Sequence, residues 1–266
     1  MQHLFQSWET HSAHLKAAAH ILLLSDYDGT LTPIVSRPDE AILSPDVRKK
    51  LRALAEKTNF SVGIISGRAL SEVKAMVGVE GIYYAGNHGL EIEGPGLRFT
   101  NPAARAARTV IKDLAGQLSD RLGNIKEVIV EDKGLSLSVH YRLVQESEEN
   151  TVAEVIHQIT SPWLSDRKIR VTTGKKVWEV RPPIDWHKGK AVETIRNEIK
   201  ALLNPGQLLT MYLGDDTTDE DAFRVIDHPE GLSIFVGQEA QSSSADYFLT
   251  STAEVEQFLS KLIELK

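Results

Sequence analysis

The sequence predicts an α/β fold, a parallel-sheet core interrupted by a smaller α+β domain. Three observations carry that prediction. Short apolar runs alternate with amphipathic helical stretches, first up to about residue 104 and again from 184 onward. Near residue 105 the texture changes to strands in which apolar and polar residues alternate, the signature of antiparallel sheet with one wet face. Pro182-Pro183 then marks a hinge, after which the first pattern resumes. The expected domains are therefore 1–104 with 184–266, and an inserted 105–183.

The elements follow in order. The first 20 residues, with His3, His11, His14 and His20 at irregular spacing, read as a solvated helix. Residues 21–25 are a buried strand. Ser44-Pro45-Asp46 starts a helix, with a capping serine, proline at the first position and an acid in the first turn. Phe60 to Ile65 is the next strand, then a helix to about Val77 stopped by Gly78, then a strand from Ile82 to Ala85. The inserted part opens with a helix over about 105–122. Strands at 125–131 and 135–142 flank a Lys133-Gly134 turn. A helix over 148–160 and a hairpin across Thr173-Gly174 follow. The core resumes with helix 188–202, strand 208–213, helix 219–227, strand 233–236 and helix 252–264. Trp163, Trp178 and Trp186 are scattered and are expected to pack in the core or at the hinge.

Composition removes several function classes. A formal charge of −7 argues against nucleic acid or an anionic membrane surface as partner. With no cysteine, thiol catalysis, disulfides and thiolate metal sites are excluded. No apolar stretch approaches the roughly 20 residues of a membrane span, so a cytoplasmic address is expected.

In a parallel α/β sheet, ligands gather at the carboxyl ends of strands. Four such ends here carry polar residues. They are Asp26, Asp28 and Thr30 in "DYDGTLTP"; Ser66, Gly67 and Arg68; Asn87, His88 and Gly89; and Asp215, Asp216 and Asp219 in "GDDTTD". Lys188, in "DWHKGK", opens a helix that points to the same place, with Lys190 as an alternative anchor. Five carboxylates around one point call for a divalent cation, and hard oxygen ligands suit Mg2+. The spacing is not that of an EF-hand, whose glycine is sixth where Gly29 is fourth from Asp26. Nor is it a P-loop, since Ile184 and Ala191 stand where glycine and Ser/Thr are needed. Phosphoryl transfer fits: a cation offsets the repulsion between an attacking carboxylate and phosphate, while lysine and hydroxyl hold phosphate oxygens. One carboxylate attacks and a second, two residues on, moves the proton.

These segments, in this order, resemble the four motifs of the haloacid dehalogenase-like phosphatases. The resemblance implies a Rossmann-like parallel-sheet core with an inserted α+β cap domain. It implies Asp26 as nucleophile, Asp28 as general acid/base, and Ser66 and Lys188 as phosphate holders. It also implies Mg2+ on Asp26, the Asp28 backbone carbonyl and Asp215, with Asp216 and Asp219 supporting. "ISGR", "AGNHGLE", "VEDKGLSLSVHYR", "GKKVWEVRP" and "YLGDDTTDEDAF" resemble, more narrowly, the trehalose-6-phosphate phosphatases. That implies sugar-reading roles for Glu131, Lys133, Arg142 and Glu179, with Arg68, Asn87, His88 and Gly89 helping to place sugar or phosphate. Thr30 and Gly67 would support the site. The implied substrate is a small sugar phosphate supplied by a separate trehalose-phosphate synthase.

Three alternatives stand beside this reading. The substrate could be sucrose, mannosylglycerate or glucosylglycerol phosphate. The chain could be a catalytically silent phosphosugar-binding regulator, against which the full set of acids argues. A mutase would use more cap arginine, with Arg142, Arg170 and Arg181 as candidates.

Overall fold

The computed structural model describes residues 1–203, 208–226, 231–238 and 242–265. The chain divides into two compact units, Met1–Phe99 with Trp186–Lys266, and Thr100–Asp185.

The first unit carries β1 (Gln2–His3), α1 (Trp8–Ala17), β2 (His20–Ser25), α2 (Pro45–Ala55), β3 (Phe60–Ile65), α3 (Leu70–Val77), β4 (Tyr83–Gly86), β5 (Glu91–Gly94) and β6 (Leu97–Thr100). The second carries α4 (Pro102–Leu122), β7 (Ile129–Asp132), β8 (Leu137–His140), α5 (Glu146–Ser165), β9 (Arg170–Gly174) and β10 (Val177–Arg181). The first unit then resumes with α6 (Lys188–Leu202), β11 (Leu208–Gly214), α7 (Glu220–Phe223), β12 (Gly231–Val236), β13 (Tyr247–Leu249) and α8 (Thr252–Glu264).

The large sheet runs β1-β13-β12-β11-β2-β3-β4-β5-β6. It is parallel from β1 to β4, and β5 pairs antiparallel with β4. β2 sits between β11 and β3 and is buried on both faces, which is why it reads as an unbroken apolar run. Ile21 and Leu23 pack with Leu51 of α2, Val73 of α3 and Phe258 of α8. Leu22 and Leu24 pack with Ala191 and Ile195 of α6 and Phe223 of α7. Helices therefore cover both faces, and the loops at the carboxyl ends of β2, β3, β4 and β11 share one rim of the sheet.

Start and stop signals act as read. Ser44 accepts from the Val47 N–H at 3.1 Å at the head of α2, and Gly78 closes α3 with φ +59°. The second unit folds α4 and α5 over a four-stranded antiparallel sheet, β7-β8-β10-β9. Its core joins Ile111, Leu114 and Leu118 to Val152, Ile156, Leu137, Val139 and Val180.

The structure departs from expectation in several places. The N-terminal helix is not simply solvated: Leu15 and His11 are buried, and the His11 ring stands edge-on to Tyr247 at 4.5 Å. The second hairpin of the insertion turns at Lys175-Lys176, with Lys176 at φ +64°, and Thr173 and Gly174 are still paired within it. Helix α5 runs past Pro162 to Ser165, closed by Asp166 N–H on the Pro162 carbonyl at 3.1 Å. Strands β1, β5, β6 and β13 were not expected, being short or at the sheet margin. The helix expected over 219–227 is a 3-10 turn at Thr217–Asp219 followed by α7. Residue 227 lies outside the described residues.

Candidate active site

The chain after β2 turns tightly: the Gly29 N–H donates to the Thr32 carbonyl at 2.7 Å. Gly29 has φ +85°, and a Cβ there would come within 2.2 Å of the Asp215 carboxylate. Only glycine allows both the turn and that approach. The Asp26 N–H donates to the Leu213 carbonyl at 2.9 Å, tying the end of β2 to the end of β11.

Asp26 is 5% exposed and its Oδ1 lies 3.0 Å from Lys188 Nζ. Lys188, at the head of α6, is itself 2% exposed and also donates to Asp219 Oδ1 at 2.7 Å. Asp219 is fully buried. Its Oδ1 accepts from the Tyr212 hydroxyl at 2.6 Å, and its Oδ2 from the N–H groups of Asp215 and Asp216 at 3.1 and 3.0 Å. Burial pushes the Asp26 carboxyl well above the usual range; Lys188 opposes this, while Asp219, Asp215 and Asp28 reinforce it. Burial alone would lower the Lys188 ammonium, but Asp219 and Asp26 outweigh it and hold the lysine charged.

Carboxylate oxygens of Asp26, Asp215 and Asp219 lie within 4.8 Å of one another. These clustered oxygens suit a hard divalent cation, whose charge would offset the burial and the neighbouring acids that raise Asp26. Asp216, expected to support the cation, is not in this group. Its side chain caps the following turn instead, accepting from the N–H and Oγ1 of Thr217.

Asp28 is more open, and Arg68 grips it through one guanidinium edge, Nε to Oδ2 at 2.8 Å and Nη2 to Oδ1 at 2.7 Å. Arg68 also donates to Glu72 and to the Pro38 carbonyl, and its guanidinium lies over the Tyr27 ring. Arg68 was expected to place substrate; the contacts shown here are with Asp28 and its surroundings. The buried Ser66 hydroxyl accepts from the Arg68 N–H at 3.2 Å. The Asn87 N–H donates to the Arg68 carbonyl at 2.7 Å and the His88 N–H to the Ser66 carbonyl at 2.9 Å, so the loops after β3 and β4 are stitched together. A Cβ on Gly67 would meet the His88 ring at 2.8 Å. Asn87 donates to Glu91 at 3.2 Å, and Gly89 backs onto Ala191 of α6. Thr30 is fully buried beside the turn.

In the second unit, Glu131 of β7, Ser138 of β8 and Glu179 of β10 stand opposite one another in one row across the sheet. Glu131 meets His140 Nε2 at 2.8 Å, and Lys133 Nζ lies 3.8 Å from the same carboxylate. Glu179 lies 3.9 Å from Arg181. Arg142 is apart from this row, donating to the Lys175 carbonyl at the hairpin turn at 2.9 Å. Two residues that the sequence reading missed have roles in these networks. Tyr212 sits in a strand whose apolar run hides it, and its only signal was its place two residues before Gly214. His140 fell among the polar positions of an alternating strand.

The trehalose-phosphatase family model matches residues 24–253. The probable trehalose-phosphate phosphatase D of Arabidopsis thaliana is 36% identical over 264 residues, covering 96% of this chain and 70% of that protein. Among solved structures, the C-terminal domain of C. albicans trehalose-6-phosphate phosphatase superposes with a TM-score of 0.79 at 24% identity, over 97% of each chain. A haloacid dehalogenase-like hydrolase from Bacteroides thetaiotaomicron shares the fold at 14% identity, with a TM-score of 0.61 over 91% of this chain and 99% of that one. Among the described residues no helix is long and apolar enough to cross a membrane.

Proposed function

The chain belongs to the trehalose-phosphatase family, and we propose that it hydrolyses trehalose 6-phosphate to trehalose and phosphate through a phosphorylated Asp26. The observation that carries this reading is the buried Asp26–Lys188–Asp219 chain beside Asp215. Such an arrangement leaves a carboxylate facing a charged ammonium, with further acids in reach of a cation.

Asp26 attacks phosphorus and the bond to the sugar oxygen breaks. Lys188 and the Ser66 hydroxyl hold phosphate oxygens. Asp28 delivers the proton to the leaving oxygen, then takes one from the water that cleaves the Asp26 ester, restoring both carboxyls. Because Asp28 pairs with Arg68, it must leave that pair to act as the acid. Mg2+ is the cation we assign, held by Asp26, Asp215 and the Asp28 carbonyl; when bound it supplies charge against the repulsion between carboxylate and phosphate. The Thr100–Asp185 unit is the cap, and Glu131, Lys133 and Glu179 read sugar hydroxyls as acceptors and donors.

Phosphate release from trehalose 6-phosphate, sucrose 6-phosphate, glucose 6-phosphate, mannosylglycerate phosphate and glucosylglycerol phosphate, with Mg2+ and with EDTA, tests this. Preference for trehalose 6-phosphate that EDTA abolishes is expected. Preference for another member overturns the reading of the cap, and no release from any of them overturns the assignment as an enzyme.

A further inference from the structure

Tyr212 lies in the middle of the sheet, in β11, fully buried, with its ring edge-on to Phe223 at 5.7 Å. Its hydroxyl reaches Asp219 Oδ1, the oxygen that also accepts from Lys188. With the Asp215 and Asp216 N–H groups on Oδ2, Asp219 takes four donors, two on each oxygen. A carboxylate so engaged is fixed in orientation and has given up much of its capacity to bind anything else. Lys188 stands between this saturated acid, at 2.7 Å, and Asp26, at 3.0 Å. A buried ammonium beside two carboxylates moves toward whichever carries more uncompensated charge. The Tyr212 hydroxyl draws down the charge on Asp219 Oδ1, and burial, reinforced by the Asp219 charge, pushes the Tyr212 pKa well above the usual phenol range, so that the hydroxyl stays a donor.

We propose that Tyr212 is a positioning residue: by sharing Asp219 Oδ1 it prevents that carboxylate from capturing Lys188 and keeps the ammonium aimed at Asp26. This rests on the reading of Asp26 as nucleophile and Lys188 as phosphate holder. Without the hydroxyl, Asp219 turns and pulls the lysine back, so the phosphate meets a misplaced charge.

A double-mutant cycle of Tyr212→Phe and Asp219→Asn tests it, read in kcat and KM for trehalose 6-phosphate and in melting temperature. Phenylalanine keeps the ring that packs on Phe223, and Phe223→Leu serves as the control that disturbs this packing without touching the hydroxyl. Tyr212→Phe is expected to lower kcat/KM about tenfold or more, the scale of one hydrogen bond to a charged group. The loss should fall mainly on kcat, and the double mutant should be no worse than Asp219→Asn alone. Phe223→Leu is expected to lower the melting temperature with kcat/KM unchanged. Full kcat/KM in Tyr212→Phe, losses that multiply in the double mutant, or an equal loss in Phe223→Leu would each overturn the inference. If Asp219→Asn alone kept full activity, the lysine–aspartate reading of the site would fall and this inference with it; loss in Asp219→Asn without loss in Tyr212→Phe overturns only the inference.

Discussion

At the ends of β2 and β11, Asp26, Lys188 and Asp219 are bonded to one another and closed to solvent, whereas Glu131, Lys133 and Glu179 stand partly exposed along an antiparallel sheet. The first group is fixed before substrate arrives, by backbone N–H groups, a glycine turn that tolerates no side chain, and a buried lysine. Such preorganisation suits chemistry, where misplaced charge costs rate. The second group lies more open to solvent: Glu131 meets His140 at 2.8 Å, with Lys133 3.8 Å from the same carboxylate, and Arg181 lies 3.9 Å from Glu179. That suits recognition, where hydroxyls of a sugar replace water and each contact adds a modest amount. Variants in the two regions should therefore differ in kind: the core should lose rate, the cap should lose discrimination.

The sharpest break of the comparison is Asp26→Asn. Loss of the nucleophile is expected to lower kcat by at least about 10^4-fold for every substrate, the scale at which nucleophile removal acts in other hydrolases. The same change should stabilise the metal-free protein. Burial and neighbouring acids raise the Asp26 pKa in the folded state, so its ionised form is disfavoured there relative to the unfolded chain. The penalty is absent below the ordinary carboxylate range and grows as pH climbs through it. Melting curves in EDTA should show Asp26→Asn above the parent near pH 7, with the gap closing near pH 4 or below. A variant that melts lower at pH 7 would remove burial as the dominant influence on Asp26.

Asp28→Asn comes next. An acid that protonates the leaving oxygen matters for a sugar alkoxide and little for a leaving group that departs as a stable anion. We expect roughly 10^2- to 10^4-fold loss with trehalose 6-phosphate, and a much smaller loss in the first phosphate-ester cleavage of p-nitrophenyl phosphate, read as a burst of nitrophenol. Equal losses in both would place Asp28 with Arg68 as structure rather than as proton carrier.

A cap variant moves a different quantity. Glu131→Gln keeps the shape but removes the charge facing His140 and Lys133. KM for trehalose 6-phosphate should rise about five- to twentyfold, as for loss of a charge-assisted hydrogen bond, while p-nitrophenyl phosphate turnover stays as in the parent. A matching fall with the aryl phosphate would take Glu131 out of sugar reading.

The same division governs what could be read from the chain. Asp26, Asp28, Asp215 and Asp219 stand out in the sequence because acids crowded at strand ends repel one another unless a cation offsets them. The parallel strands announce themselves by burial on both faces. Asp215 and Asp216 look equivalent in sequence, and it is the turn at Thr217–Asp219 that sets Asp215 beside Asp26 while the Asp216 side chain meets Thr217. The pairing of Arg68 with Asp28, forty residues away in sequence, carries no local signal and is visible only once the ends of β2 and β3 are brought together. Tyr212 is hidden because a buried tyrosine in an apolar strand carries no mark of what its hydroxyl meets. Strands β5 and β6 escape notice since Glu91–Gly94 is short and its pattern is half polar.

The smallest expected effect concerns how the two regions are joined. Asn101, just before α4, accepts from the N–H groups of Ala103 and Ala104 at 3.0 and 3.2 Å, with Pro102 at the first helical position. Asn101→Ala removes this cap and should cost about 1 kcal/mol. Because Ile111, Leu114, Leu118 and Leu122 of α4 belong to the hydrophobic cluster of the second unit, that cost should fall on the cap. In a two-domain protein it would appear as a shift of about 4–8 °C in one transition, with the other unmoved, and p-nitrophenyl phosphate turnover below the first transition should be unchanged. A single transition that shifts as a whole would mean that cap and core unfold together, so that the closed core site and the more open cap face belong to one cooperative unit.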